Sequence, residues 1–235
     1  MILKNYVKSN KFDYQELFEA SKVCCRMLNR VLDTNKYSNE KARRTALKQR
    51  AIAIGIQGLA DVFFKLKISF ESEEAKKMTD LIMSTIREAA ELESERLYKE
   101  EGLKADMFER ANSLLVGLMP TAGTALINGC YESFEPQHSN IFLRKMMNGE
   151  FVISNEYLIK ELEDLGLWNE DIRLEISKTG SVQGLDLPED IKNRYKTIFE
   201  IKQKVLIDLA AIREKYLDQS QSLNLYLEAP SKNTL

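Results

Sequence analysis

The most informative stretch of this chain is Leu114-Leu-Val-Gly-Leu-Met-Pro-Thr-Ala-Gly-Thr124. Its apolar first half predicts a buried strand, and the small residues that follow predict a turn opening onto a short helix. Free backbone N–H groups at such a helix start attract anions, most often phosphate. Turns of Thr and Gly also cap helices without binding anything. The sequence of the turn alone is compatible with both anion binding and helix capping.

Apolar residues at helical spacing predict four helices along the chain. Asp13 and Glu16 form a capping-box pattern at the start of the first helix, and Ser72 is a capping residue for the second. The predicted helices span 13–32, 73–99, 155–165 and 187–213.

Strand candidates alternate with these helices, which indicates an α/β fold in a single domain over residues 1–235. Asn148-Gly149 is a strong hairpin dipeptide. Gly55 and Gly58 permit tight packing where the next helix starts. The predicted strands are 50–55, 113–119, two strands within 139–154, and 221–227.

The composition excludes several classes of protein. The chain has 235 residues, of which 44% are hydrophobic, and a net charge of −2, which argues against a nucleic-acid-binding surface. The basic stretch from Lys41 to Arg50 has no interleaved aromatic residues, so we interpret it as a solvated helix face. There is no apolar run of about 18 residues and no secretory signal, which predicts a cytoplasmic protein with no membrane partner.

The three cysteines and single histidine predict neither a disulfide framework nor a metal site, and no pattern indicates a cofactor. Cys24 and Cys25 are adjacent in a predicted helix, so their side chains point about 100° apart and do not form a useful dithiol pair. We expect the cysteines, including Cys130, to be buried or half-buried thiols.

Four blocks of this sequence resemble the C-terminal half of the large subunit of class I ribonucleotide reductase. They follow the order of that family and cover most of residues 12–228. The blocks are Ile52–Phe63; Asn112-Ser113 with Met119–Ala125; Glu132–Pro136 with Ser139–Ile141 and Asn148–Phe151; and Ile207–Ala211 with Asp218–Asn224.

This resemblance implies a helix-rich part of the family's ten-stranded α/β barrel, namely its second half, without the N-terminal ATP-cone. It also implies a role in reducing ribonucleoside diphosphates, which supplies deoxyribonucleotides for DNA replication. In the family, the matching loop holds the substrate diphosphate with backbone amides and hydroxyls. The residues that correspond to this loop are Pro120, Thr121, Ala122, Gly123 and Thr124.

Some positions depart from the family or lack a clear role. Gly123 stands where the family commonly has Ser, so one hydroxyl donor is lost, which weakens phosphate binding by about 0.5–1.5 kcal/mol. Glu132 and Glu135 look like an acid/base pair, but the resemblance places them in a structural loop, where we expect them to orient the backbone. We interpret His138 as incidental, and the polar cluster 218–224 as packing at the barrel rim.

The resemblance assigns no catalytic residue to this chain. The family's radical cysteine and redox cysteine pair match positions upstream of residue 1, and its Tyr-Tyr pair matches positions beyond residue 235. The linker between Tyr98 and Asn112 is shorter than the family usually has.

The resemblance is compatible with three interpretations of the chain. The first is a reductase fragment that works with a complementing large-subunit half or a full-length large subunit, a small subunit and a ribonucleoside diphosphate. The second is a catalytically dead, reductase-like binding or scaffold protein. The third, an inactive remnant, is disfavoured by the preserved helical periodicity.

Overall fold

The computed structural model describes residues 1–146 and 149–228, and helices dominate it. A short 3-10 helix, Leu3–Tyr6, comes first. The α-helices are α1 (Tyr14–Thr34), α2 (Glu40–Gln49), α3 (Leu59–Lys65), α4 (Glu73–Glu101), α5 (Ala122–Ile127), α6 (Glu156–Asp164), α7 (Glu170–Thr179), α8 (Glu189–Arg194) and α9 (Gln203–Glu214). The strands β1 (Val7–Lys8) and β2 (Lys11–Phe12) form one antiparallel pair, and β3 (Ile141–Met146) and β4 (Gly149–Ser154) form another.

The two long helices start where the sequence predicts. The Asp13 carboxylate accepts a hydrogen bond from the Glu16 amide at 2.9 Å, which caps α1. Ser72 Oγ accepts from the Ala75 amide at 3.1 Å, which caps α4. These bonds satisfy amides that have no partner inside the helix. The two helices pack against each other and form one wall of the core.

Three extended segments run parallel through the core. Residues 52–57 lie in the middle: the Ile54 amide donates to Leu115 O at 2.8 Å, and the Gln57 amide donates to Met1 O at 2.9 Å. Each contact forms only an isolated parallel bridge. The predicted strands 50–55 and 113–119 are therefore wrong as regular strands, because the ladder between them has too few bonds. Their extended path and burial are as expected.

A side chain occupies the other edge of segment 114–118. Asp218 Oδ2 accepts from the amides of Leu115 at 2.7 Å and Val116 at 3.0 Å, and the Asp218 amide donates to Val116 O at 3.0 Å. Burial raises the pKa of Asp218, but hydrogen bonds from Arg87 and the two amides outweigh burial and hold the pKa below its usual value. The predicted strand 221–227 is wrong, and these residues form no regular element. A strand on this edge of segment 114–118 would need the amides of Leu115 and Val116, which Asp218 already occupies.

The predicted helix over 187–213 is two helices, α8 and α9. Between them, the Thr197 amide donates to Glu200 Oε2 at 2.7 Å, and the Lys202 amide donates to Glu71 Oε1 at 2.9 Å. Because carboxylates take these amides, helical bonds do not continue across 195–202. Helix α7 was not predicted, although Asn169 caps it by accepting from the Ile172 amide at 3.0 Å.

The predicted strand pair within 139–154 is confirmed. Strands β3 and β4 pair from Ile141 opposite Ser154 to Met146 opposite Gly149. The predicted turn at Asn148-Gly149 lies partly outside the described residues. At the base of the hairpin, the buried Asn155 side chain donates to Asn140 Oδ1 at 3.1 Å, which ties the hairpin to the start of α6.

A buried polar cluster joins the helical wall to the extended segments. The side-chain amides of Asn29 on α1 and Asn112 bond reciprocally, at 3.1 and 3.0 Å. Asn112 also donates to Arg50 O at 2.7 Å and accepts from Ser94 Oγ at 2.9 Å. Arg50 in turn forms two bonds with Asp33, at 2.7 and 3.0 Å. Asn112 therefore connects α1, α4 and the chain that enters segment 114–118.

We predict that Asn112→Ala destabilises the protein by about 2–4 kcal/mol, because it leaves buried groups on three elements without partners. Urea unfolding followed by circular dichroism measures this loss. Asn193→Ala, at an exposed position on α8, is the matched control and should change the free energy of unfolding by less than about 0.5 kcal/mol. Equal effects of the two substitutions would contradict the role of Asn112.

Candidate functional site

The loop 120–124 lies where segment 114–118 leaves the core and α5 begins. Thr121 precedes the helix in a left-handed conformation, with φ of 58°. Its hydroxyl oxygen accepts from the Ser133 amide at 2.8 Å, which fixes this conformation. The Ala125 amide donates to Thr121 O at 2.7 Å and begins the bonds of the helix. The amides of residues 122–124 precede that bond and therefore point out of the helix end.

The two threonine hydroxyls of the loop have different roles. Because Thr121 Oγ1 accepts from an amide, its own proton remains available as a donor. Thr124 Oγ1 lies 3.1 Å from Thr121 O and 3.2 Å from Gln57 Oε1, so its single proton is used within the protein. The donors available at this end of α5 are thus backbone amides and one hydroxyl.

Small residues determine the shape of the loop. Pro120, Ala122, Gly123 and Thr124 are exposed. A Cβ placed on Gly123 would meet no atom within 4 Å, so a serine fits there. Gly55 is the opposite case: a Cβ there would lie 2.7 Å from Gly117 O and 2.5 Å from the end of the Met119 side chain. Because Gly55 has no Cβ, its backbone can lie against Gly117 and Met119, which come just before the loop.

A cleft of about 530 Å³ lies along α5, beyond the loop. Glu132, Glu135 and His138 line it, although the sequence assigned them only structural or incidental roles. Asn224 donates to Glu135 Oε1 at 3.3 Å, which places the polar cluster 218–224 behind this wall.

Asp61, a residue that no sequence pattern singled out, is buried in the same cleft. Its carboxylate accepts from the Tyr131 amide at 2.7 Å and from the Tyr157 hydroxyl at 2.9 Å. Burial raises the pKa of Asp61 despite these hydrogen bonds. Burial and the nearby Asp61 carboxylate also raise the pKa of Tyr157. No local pattern identifies this group, because its three members are far apart in the sequence.

The cysteine thiols are protonated at neutral pH. Burial, together with the nearby Glu93 carboxylate, raises the pKa of Cys25 to about 12. Burial also raises the pKa values of Cys24 and Cys130. A thiol is a weak nucleophile in its protonated form.

Within residues 1–146 and 149–228, no three or more His, Cys, Asp or Glu side chains are placed to hold a metal ion. The helices of the same ranges include none that combines the length and the apolar character needed to cross a membrane.

We predict that Asp61 makes the protein less stable as pH rises. Its folded-state pKa lies above the unfolded value of about 4, so its stabilising contribution is full below that pH. The contribution is lost as pH rises through the folded-state pKa. Asp61→Asn should abolish this part of the pH dependence, measured by urea unfolding between pH 4 and 8. The exposed Asp186→Asn is the control and should keep the wild-type profile.

Comparison with known proteins places the whole chain in one family. The family model described as "Ribonucleotide reductase, barrel domain" matches residues 1–112 and 110–235. The ribonucleoside-diphosphate reductase large chain of Schizosaccharomyces pombe is 39% identical over 265 residues, covering 97% of this chain and 33% of that protein. The large subunit from Danio rerio is 38% identical over 270 residues, covering 99% of this chain and 34% of that protein.

A solved structure has the same fold. The class Id ribonucleotide reductase alpha subunit of Actinobacillus ureae superposes with a TM-score of 0.81 and 29% identity, covering 96% of this chain and 42% of that one. The chain therefore spans about a third of the length of the curated relatives it matches. The helix-rich α/β architecture is that of part of the reductase barrel.

Proposed function

Because this chain belongs to the ribonucleotide reductase barrel family, we propose that it forms, as one domain, the part of a large subunit that holds the substrate diphosphate. The proposed binding residues are Pro120, Thr121, Ala122, Gly123 and Thr124. The observation that carries this proposal is the exposed end of α5, where the amides of 122–124 precede the first bond of the helix and the Thr121 hydroxyl keeps its proton available. These donors match the oxygens of a diphosphate.

The lack of charged side chains in the loop makes this binding weak. Residues 114–126 contain no charged side chain, so this segment contributes only amides and one hydroxyl to the interaction. Charge-assisted bonds from Arg or Lys are about twice as strong as neutral ones. We therefore propose that the loop positions the diphosphate of a ribonucleoside diphosphate and that other parts of the reductase supply most of the affinity.

Chemistry at the ribose needs groups from outside this chain. We propose that a complementing large-subunit segment, or a full-length large subunit, supplies the radical and reducing residues, and that a small subunit generates the radical. In that assembly this chain holds the substrate, while the complementing segment abstracts the 3′ hydrogen and reduces the 2′ carbon. The names of the relatives support this assignment of substrate class.

Two observations favour a second candidate, a reductase-like protein without activity. Gly123 replaces the serine common in the family, which removes a donor from the loop. The alignment with the Schizosaccharomyces pombe protein has 265 positions against the 235 residues of this chain, so at least 30 positions of that relative have no counterpart here. The two family-model matches meet at 110–112, which supports a shortened connection between α4 and Asn112.

We predict that Gly123→Ser strengthens diphosphate binding about two- to tenfold, because it adds one hydroxyl donor where no atom obstructs it. Gly123→Pro should weaken binding, because proline removes one amide donor. Calorimetric titration of the full chain with CDP, with cytidine as the ligand control, measures both effects.

Gly184→Ser is the matched control variant, because a Cβ at Gly184 also meets open space. It should leave the affinity for CDP unchanged. Equal affinities of the Gly123→Ser and Gly184→Ser variants would contradict the assignment of the loop.

A reconstitution assay separates the two candidate functions. The chain is mixed with a separately produced remainder of a large subunit and a small subunit, and CDP reduction is followed. The fragment proposal predicts turnover that falls with Gly123→Pro. An assembled complex that binds CDP without turnover would favour the inactive protein.

A further inference from the structure

Helix α1 carries apolar residues on two of its sides. One side, which includes Leu17 and Cys25, belongs to the buried core. Val23, Met27 and Val31 repeat at four-residue spacing on the side away from the core, and their exposed fractions are 43%, 64% and 57%. We call these three residues the α1 stripe. Single exposed apolar residues are ordinary, but a row of three over two turns is typical of an interaction surface.

A row of cations borders the α1 stripe. Its members share the four-residue spacing of the stripe and are Lys22, Arg26 and Arg30. Arg26 pairs with the buried carboxylate of Glu93 at 3.1 Å. Arg30 is exposed and, among the residues that the structure describes, has no carboxylate within ion-pair distance. An apolar patch with this border suits a partner whose contact surface is apolar and edged with acidic groups.

The lengths of the relatives favour one occupant for this surface. The large subunits that the chain matches have about two thirds of their length outside the match, so that remainder is about twice the size of this chain. Two copies of this chain paired through the stripe alone would bury three side chains each. That is far less than the roughly 800 Å² per partner of a stable complex. The remainder of a large subunit is big enough to cover the stripe together with the surface around it.

We propose that the α1 stripe is a docking surface for the remainder of a reductase large subunit. The three apolar side chains are buried in the contact, and acidic groups of the partner pair with Arg30 at its border. This inference rests on the proposed function, in which a complementing segment supplies the chemistry, and it adds the surface that joins the two. The stripe includes none of residues 120–124, so docking and diphosphate binding are tested separately.

The test measures association of the full chain with the separately produced remainder of a large subunit, by sedimentation velocity. Met27→Glu places a charge in the middle of the stripe, where the complex would bury it, so we expect association at least about tenfold weaker. Met27 is exposed in the free chain, so the variant should fold, which circular dichroism checks. Leu174→Glu, at an exposed leucine on α7, is the matched control and should associate like the wild type.

The outcomes separate this inference from the proposed function. Equal affinities of the wild type and Met27→Glu would overturn the docking surface and leave the proposed function intact. Equal weakening by Leu174→Glu would also overturn it, because the effect would not depend on the stripe. If the wild-type chain does not associate with the remainder at all, the complementing arrangement is wrong, and this inference is wrong with it.

Arg30→Glu tests the basic border of the stripe. It should weaken association about threefold or more at low salt and less at high salt, because exposed charges are screened. Lys41→Glu, which reverses an exposed cation on α2, is the control and should have no effect. Wild-type association of Arg30→Glu at low salt would contradict an acidic edge on the partner.

Turnover in the reconstitution assay distinguishes docking from substrate binding. Met27→Glu should lower CDP reduction when this chain is limiting and restore wild-type turnover when the chain is in excess. Gly123→Pro should remain impaired in excess, because it acts on the substrate loop. A Met27→Glu defect that persists in excess would overturn a role in docking.

A second copy of this chain is the alternative occupant. Sedimentation of the wild-type chain alone should show a monomer. A dimer that Met27→Glu dissociates would overturn the proposal, because the stripe would then be covered by another copy.

Discussion

The reciprocal amide pair between Asn29 and Asn112 is the contact on which the rest of the structure depends. It is buried and fully hydrogen-bonded, and through Arg50 and Ser94 it joins α1, α4 and the central extended segments. A satisfied polar network in a low-dielectric interior holds its partners in one arrangement. Asn112 also lies where the two matches to the family model meet, at residues 110–112.

Segment 114–118 connects Asn112 to the loop at residues 120–124. Ile54 bonds to one of its edges and Asp218 to the other, so neither edge is free to shift. The absence of a Cβ at Gly55 lets the chain pass close to Gly117 before it turns. The loop that we propose as a phosphate site is therefore held by the core rather than by its own short helix.

The loop before α5 and the cleft along α5 differ in electrostatic character. The loop before α5 offers amides and a hydroxyl but no charged side chain, which suits a weakly held anion. The cleft along α5 is lined by charges of both signs, the carboxylates of Glu132 and Glu156 and the cations of Lys4 and Arg144. Residues 129–133 connect them, because Ser133 fixes Thr121 while Tyr131 bonds to Asp61. The segment that lines the cleft thus also fixes the conformation of the loop.

The sequence by itself determined what depends on neighbouring residues, namely the caps at Asp13 and Ser72 and the β3–β4 hairpin. It also carried the family resemblance, and the phosphate role of residues 120–124 that follows from it stays a prediction. It mispredicted the strand at 221–227, because Asp218 occupies the amides of Leu115 and Val116 that such a strand would need as partners. It also mispredicted a continuous helix over 187–213, because Glu200 and Glu71 take the amides of Thr197 and Lys202. Only the tertiary structure decided those bonds and the cleft. Gln137 meets Lys196, and Asp61 meets Tyr157, across 59 and 96 positions of sequence, where no local pattern records the pairing.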